Sequence, residues 1–119
     1  MKIFISHTKN IDFVNDLYRP IRESALNDEH DLFLPHEDGK KINTKEQIQS
    51  SDLIISEVSF PATGSGIEIG WADAAGVPLL CVYKEGSDIS GSLKYLTDDF
   101  IEYSSPEDLV QKLTSFLSK

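Results

Sequence analysis

The sequence predicts an α/β fold in which a five-stranded parallel sheet is enclosed by helices. Short apolar segments rich in β-branched and aromatic residues recur along the 119 residues, and segments with helical spacing separate them. The central segment, "DLIISEV", is apolar on both faces, which is typical of a parallel strand covered on both sides. Strands that alternate with helices need crossover connections, and these are right-handed in parallel sheets.

Each predicted strand is a short apolar run bounded by polar or turn residues. In chain order the five runs are "KIFIS", "DLFLP", "DLIISEV", "PLLCVYK" and "FIEY". The single cysteine, Cys81, falls in the fourth run. It excludes an internal disulfide and indicates a buried structural thiol.

Helical segments are predicted between the first three strands. Apolar residues recur at helical spacing from Ile11 to Ala25, and Pro20 should kink or split that helix. Thr44 and Gln47 have the spacing of a capping box, which predicts a short helix before the third strand.

Three further helices complete the pattern. One is predicted from Gly66 to Ala75, closed by Gly76 at its C-terminal cap. "SGSLKYL" predicts a short helix before the fifth strand. The last helix starts with Ser105 as N-cap and Pro106 as its first residue.

These elements predict a three-layer, flavodoxin-like arrangement with strand order 2-1-3-4-5. In such sheets a ligand binds beyond the carboxyl ends of the strands, where strands 1 and 3 diverge. The loops "SHTKN" and "SFPATGSG" should therefore lie side by side at a ligand site. The predicted ligand-binding residues in these loops are Ser6, His7, Thr8, Thr63, Gly64, Ser65 and Gly66.

Glu68 is the carboxylate of this region, and the pattern places it in the first turn of the helix that follows the second loop. One interpretation is a favourable interaction with the helix dipole. The other is a partly buried carboxylate with a catalytic role, since its neighbours are apolar or glycine.

Composition limits the function classes. A net charge of −9 argues against general binding to nucleic acid. No apolar run has the length of a membrane span, and the N-terminus does not resemble a signal peptide. Three scattered histidines without ligand spacing predict no metal site. We expect one soluble, cytoplasmic domain over residues 1–119.

The segment over residues 50–95 contains "PATGSGIEIG" and "GVPLLCVYK". It resembles the nucleoside 2-deoxyribosyltransferase family, including the related 2′-deoxynucleoside 5′-monophosphate N-glycosidases. The resemblance implies that Glu68 attacks the anomeric carbon of a nucleoside or its 5′-monophosphate and displaces the base, forming a covalent sugar ester. Water or a second base then accepts the sugar, and no cofactor is needed.

The resemblance also implies a homodimer or larger assembly in which Ser92 contacts the phosphate or bridges subunits. The family's strand 1 tyrosine falls at Ile3, and the aspartate that helps protonate the leaving base falls at Thr44. The proton donor is left open among His7, Glu46, Glu57 and Asp73.

Two alternative functions remain open. Ile3 and Thr44 replace the tyrosine and aspartate that assist the nucleophile in the family, and this is compatible with a non-catalytic nucleotide-binding module of the same fold. "HTKN" after "IFIS" resembles the opening of TIR domains, some of which cleave NAD with a helix glutamate.

Trp71 could stack on a base or pack under a helix.

Overall fold

The computed structural model describes residues 1–37, 39 and 43–119. Its five strands form one sheet in the order β2-β1-β3-β4-β5, and every pair of neighbours is parallel. The predicted fold class and strand order are confirmed. The strands are β1 (Lys2–Ser6), β2 (Asp31–Phe33), β3 (Leu53–Glu57), β4 (Leu79–Lys84) and β5 (Phe100–Tyr103).

Helices connect consecutive strands within the described residues. A π-helical turn, Val14–Tyr18, leads into the first α-helix. A 3-10 helix, Gly91–Tyr95, precedes β5. The α-helices are α1 (Arg19–Arg22), α2 (Leu26–Glu29), α3 (Thr44–Gln49), α4 (Thr63–Ala74) and α5 (Pro106–Leu117). None of the helices described is long and apolar enough to cross a membrane.

The core lies on both faces of the sheet, which makes the fold three-layered. Alternate residues of β1 point to opposite sides, as the pleat requires. Ile3 and Ile5 pack with Leu17 from the π-helical turn and Leu109 of α5. On the other face Phe4 packs with residues of α3 and α4, namely Ile48, Ile69 and Ala72.

Cys81 is fully buried among the apolar residues on the α4 side of the sheet. Burial raises the pKa of its thiol to about 12. The thiol therefore stays protonated near neutrality, as the prediction of a structural cysteine requires.

The first helical segment is split, as Pro20 predicted. Pro20 is the second residue of α1, which follows the π-helical turn directly, so that turn lacks the hydrogen bond that an N–H at position 20 would have donated. The turn before it is π-helical rather than α-helical. The final helix begins as predicted, because the Ser105 hydroxyl accepts a hydrogen bond from the Asp108 amide at 3.1 Å.

Two predicted helix starts were wrong. The N-cap of α3 is Asn43, without a side-chain cap, and Thr44 is the first helical residue, so the capping box does not form. Helix α4 begins at Thr63, three residues before the predicted start at Gly66. The Gly66 amide already donates to the Ala62 carbonyl at 3.0 Å, so Gly66 lies inside regular helix.

Candidate active site

A pocket of about 740 Å³ opens at the carboxyl ends of β1 and β3, where the strand order predicted a ligand site. Its wall comes from the loops after β1 and β2, the start of α3 and the first turns of α4. The described residues that line it are His7, Thr8, Lys9, Pro35, His36, Gly39, Thr44, Ala62, Gly64, Ser65, Ile67, Glu68 and Trp71.

Glu68 is the carboxylate among these lining residues. It is the sixth residue of α4, so it lies in the second turn and not in the first, as the sequence had predicted. The Ser6 hydroxyl, fully buried at the end of β1, donates to Glu68 Oε1 at 2.8 Å. The Thr44 side chain lines the same pocket, and its hydroxyl lowers the pKa of this carboxylate.

The pKa of Glu68 is raised because burial disfavours its charged form. The hydroxyls of Ser6 and Thr44 act in the opposite direction and lower the pKa. The carboxylate is thus partly buried and bonded to the Ser6 hydroxyl, in contact with a pocket large enough for a small molecule. This arrangement suits a group that attacks a bound ligand and differs from that of a solvated surface carboxylate.

His7 is buried beside the pocket, and both of its ring nitrogens have partners. Nδ1 lies 2.9 Å from the Thr8 carbonyl oxygen, which can only accept, so Nδ1 carries the proton. Burial lowers the pKa of His7, so the ring is neutral and Nε2 accepts from the Tyr18 hydroxyl at 2.5 Å.

Comparison with known proteins gives short but consistent matches. Over 41 residues, 34% of this chain, it is 42% identical to a protein of Syntrophotalea carbinolica provisionally named 2′-deoxynucleoside 5′-phosphate N-hydrolase 1. Over 46 residues, 39% of the chain, it is 39% identical to the protein of that name from Methanococcoides burtonii. Over 40 residues, 34% of the chain, it is 40% identical to the 5-hydroxymethyl-dUMP N-hydrolase of Rattus norvegicus.

The matched segments span 29%, 38% and 24% of the length of these three relatives. Over these segments the chain is similar to nucleotide N-hydrolases, which supports its resemblance to the nucleoside 2-deoxyribosyltransferase and nucleotide N-glycosidase family. No family model matches it. The solved structure of a CMP N-glycosidase from Clostridium botulinum has the same fold, with a TM-score of 0.68, 21% identity, and 96% of this chain and 99% of that one covered.

The structure brings together most of the residues that the family resemblance and the loop pattern had selected. His7, Thr8, Gly64 and Ser65 line the pocket with Glu68. Ser6 lies beneath the pocket and reaches it through its hydrogen bond to Glu68.

Besides Ser6, three of the predicted binding residues do not line this pocket. Thr63 is exposed at the start of α4. Gly66 and Ser92 line a separate cleft of about 270 Å³, which shares Ala62 and Ser65 with the Glu68 pocket. Ser92 is exposed on the 3-10 helix.

Of the four proton donors left open by the sequence, His7 is the one that lines the pocket. Glu46 and Asp73 are exposed on α3 and α4, outside it. Glu57 is 1% exposed and accepts hydrogen bonds from the Ser59 amide and hydroxyl and from the Tyr103 hydroxyl. Glu57 thereby ties the ends of β3 and β5 together, away from Glu68.

Sequence reasoning missed three contributors to the pocket. Thr44 was interpreted as part of a capping box, but it lines the pocket and lowers the pKa of Glu68. Tyr18 belongs to the apolar pattern between Ile11 and Ala25, and its ring is buried, but its hydroxyl bonds to residues of two pocket loops. His36 lines the pocket from the loop after β2. Because β2 lies next to β1 in the predicted strand order, the sequence could have placed this loop beside the pocket.

Trp71 combines the two roles that its sequence context allowed. It is partly exposed in the pocket and also packs against the apolar cluster beneath α4. The Lys45 ammonium lies 6.0 Å from the centre of its ring.

Proposed function

We propose that the chain cleaves the bond between base and sugar in a nucleoside or its 5′-monophosphate, with Glu68 as the nucleophile. The observation that carries this proposal is the Glu68 carboxylate, partly buried in a pocket of about 740 Å³ and bonded to the Ser6 hydroxyl. The relatives named as nucleotide N-hydrolases support the same chemistry.

In the first step a Glu68 oxygen attacks the anomeric carbon and forms a C–O ester bond while the C–N bond to the base breaks. The base leaves with the electron pair of that bond and takes up a proton. Water then attacks the same carbon and gives up a proton to solvent, while the ester C–O bond breaks; this releases Glu68 as carboxylate and leaves a free sugar or sugar phosphate. A second base in place of water would give transfer instead of hydrolysis.

Glu68 must be ionised to attack, and the hydroxyls of Ser6 and Thr44 favour that state against the effect of burial. They also fix the direction in which the carboxylate points. This orientation raises the rate of attack, because the reacting atoms must be close and aligned. His7 cannot protonate the leaving base while its two nitrogens are engaged, so we assign that proton to solvent or to His36 at the pocket wall.

The substrate would lie between α4 and the loop after β1. The amides in the first turn of α4, including those of Gly64 and Ser65, have no intrahelical acceptor and favour an anionic phosphate. Lys9 adds a cation at the pocket rim. No cofactor or metal is part of the proposed reaction, and we place it in the cytoplasm.

We also propose a homodimer or larger assembly. Ser92 lies outside the pocket of its own chain, so it can contribute to the reaction if a second copy brings it there. The exposed Phe60 and Leu96 beside it would then be covered by that copy.

The alternative is a nucleotide-binding module without turnover. The placement of Glu46, Glu57 and Asp73 outside the pocket favours it, because none of these carboxyl groups can protonate a leaving base there.

The deciding experiment incubates the protein with deoxynucleosides, their 5′-monophosphates, CMP and NAD, and separates the free bases by chromatography. We expect base release by the wild type and a loss of at least about 1000-fold in Glu68→Gln, which keeps the shape but not the nucleophile. Asp73→Asn is the matched control, since it removes an exposed carboxylate from the same helix.

Retained turnover in Glu68→Gln would exclude the nucleophile role. No release by the wild type, with a nucleotide still raising the melting temperature, would establish the binding module instead. Release from NAD alone would establish the NAD glycohydrolase that the "HTKN" segment suggested.

A further inference from the structure

Tyr18 is the buried residue whose polar atom links two of the loops that build the pocket. It ends the π-helical turn and is 4% exposed, with its ring in the core beside Phe13 at a centroid distance of 5.2 Å. Core packing accounts for the ring but not for the hydroxyl, because a buried hydroxyl is costly unless it is bonded. π-Helical turns also occur frequently at functional sites.

The Tyr18 hydroxyl has one partner on each loop. It donates to His7 Nε2 in the loop after β1, at 2.5 Å. It accepts from the backbone amide of His36 in the loop after β2, at 3.1 Å. Both histidines line the pocket that holds Glu68, and their rings lie 5.2 Å apart.

The direction of each bond follows from the groups involved. The Thr8 carbonyl requires the proton on His7 Nδ1, so neutral His7 offers a lone pair at Nε2. The backbone amide of His36 can only donate, so the Tyr18 oxygen accepts there and its single proton goes to His7. The chain of bonds from His36 through Tyr18 and His7 to Thr8 therefore has one direction, and each group in it is satisfied.

This wall is independent of the groups that hold the nucleophile. Glu68 is bonded to the Ser6 hydroxyl and its pKa is lowered by Thr44, and neither of these two residues bonds to Tyr18. Loss of the Tyr18 hydroxyl should therefore loosen the loops that contact a ligand and leave the carboxylate where it is.

We propose that Tyr18 is a positioning residue: its hydroxyl joins the loops after β1 and β2 into one fixed wall that holds the substrate against Glu68. This inference rests on the proposed function for its kinetic consequence, but the junction itself can be observed without turnover. A wall that positions the ligand without touching the nucleophile affects substrate affinity more than the chemical step.

The test variant is Tyr18→Phe, which keeps the ring and removes the hydroxyl. Tyr103→Phe is the matched control. Tyr103 is also buried, at 6% exposed, and its hydroxyl also has a buried partner, Glu57, but neither residue lines the pocket. Both variants should lower the melting temperature, because each leaves a buried group without its donor.

On the substrate that the wild type cleaves, we expect Tyr18→Phe to raise KM about tenfold while kcat changes less than about threefold. Tyr103→Phe should leave both constants within about twofold of the wild type. An unchanged KM in Tyr18→Phe, or an equal rise of KM in both variants, would show that Tyr18 only stabilises the core and does not position the substrate.

Nitrogen-15 spectra of the histidine rings give the readout that does not need activity. At pH 7 we expect His7 to be protonated at Nδ1 and unprotonated at Nε2, and Tyr18→Phe to shift the Nε2 signal and speed hydrogen exchange at the His36 amide. A proton on Nε2 in the wild type, or an unchanged Nε2 signal in the variant, would overturn the junction. If the spectra show the junction but the wild type releases no base, the proposed function is wrong while the structural role of Tyr18 still holds.

Discussion

Burial and the hydroxyls of Ser6 and Thr44 have opposite effects on how readily Glu68 ionises, and burial is the larger. Burial raises the pKa of Glu68, so activity should fall with acid at a pH above the usual range of a glutamate. The Ser6 bond lowers that pKa, since it stabilises the carboxylate. Ser6→Ala should therefore move the acid limb of kcat/KM to higher pH and lower its plateau about three- to tenfold.

A pH series of kcat/KM on the two proteins measures this shift. Ser51→Ala is the control, because Ser51 is also buried but bonds to the Gln47 carbonyl, outside the pocket. A limb that stays in place, or moves to lower pH, would contradict the role of Ser6. The sequence predicted Glu68 and named Ser6 as a ligand-binding residue, but their contact joins positions 62 residues apart, which local patterns do not encode.

Helix α4 shows where local patterns misplace an element. The sequence predicted a loop up to Gly64 and a helix from Gly66, and glycine disfavours helix by about 1 kcal/mol relative to alanine. The structure makes both helical, with open space where a Cβ would stand. Its end lies at Ala74, one residue before the predicted Ala75, and the C-cap is Ala75 instead of Gly76. Gly76 follows the cap with a φ of +73°, a conformation that side chains disfavour.

The two ends of α4 can be tested with the same substitution. Gly66→Ala should raise the free energy of unfolding by about 0.5–1 kcal/mol, because alanine favours the helical backbone and meets no neighbour. Gly76→Ala should lower it by about 1–2 kcal/mol, because its φ is left-handed. Denaturant midpoints at unchanged slope measure both. Destabilisation by Gly66→Ala would mean that α4 starts later than the structure places it.

At the scale of the whole molecule, the strand order was predictable because five apolar runs joined by helices leave few right-handed arrangements. That order also located the pocket, since its position depends on topology more than on any one residue. The wall formed by Tyr18 and His36 was not predictable, because it joins loops that become neighbours only when β2 pairs with β1.

The proposed assembly leads to a prediction about mixed subunits. If Ser92 acts in the pocket of a second copy, Glu68→Gln and Ser92→Ala should each lose base release alone and recover part of it together. A mixed dimer has one site with Glu68 from one chain and an intact Ser92 from the other, while its second site lacks both. Random exchange should restore about a quarter of the wild-type rate, because half of the dimers are mixed and each has one complete site. The measurement is base release after co-refolding at equal concentrations, with light scattering to give the assembly size. A monomeric protein, or a mixture no more active than its parts, would show that Ser92 does not act across an interface.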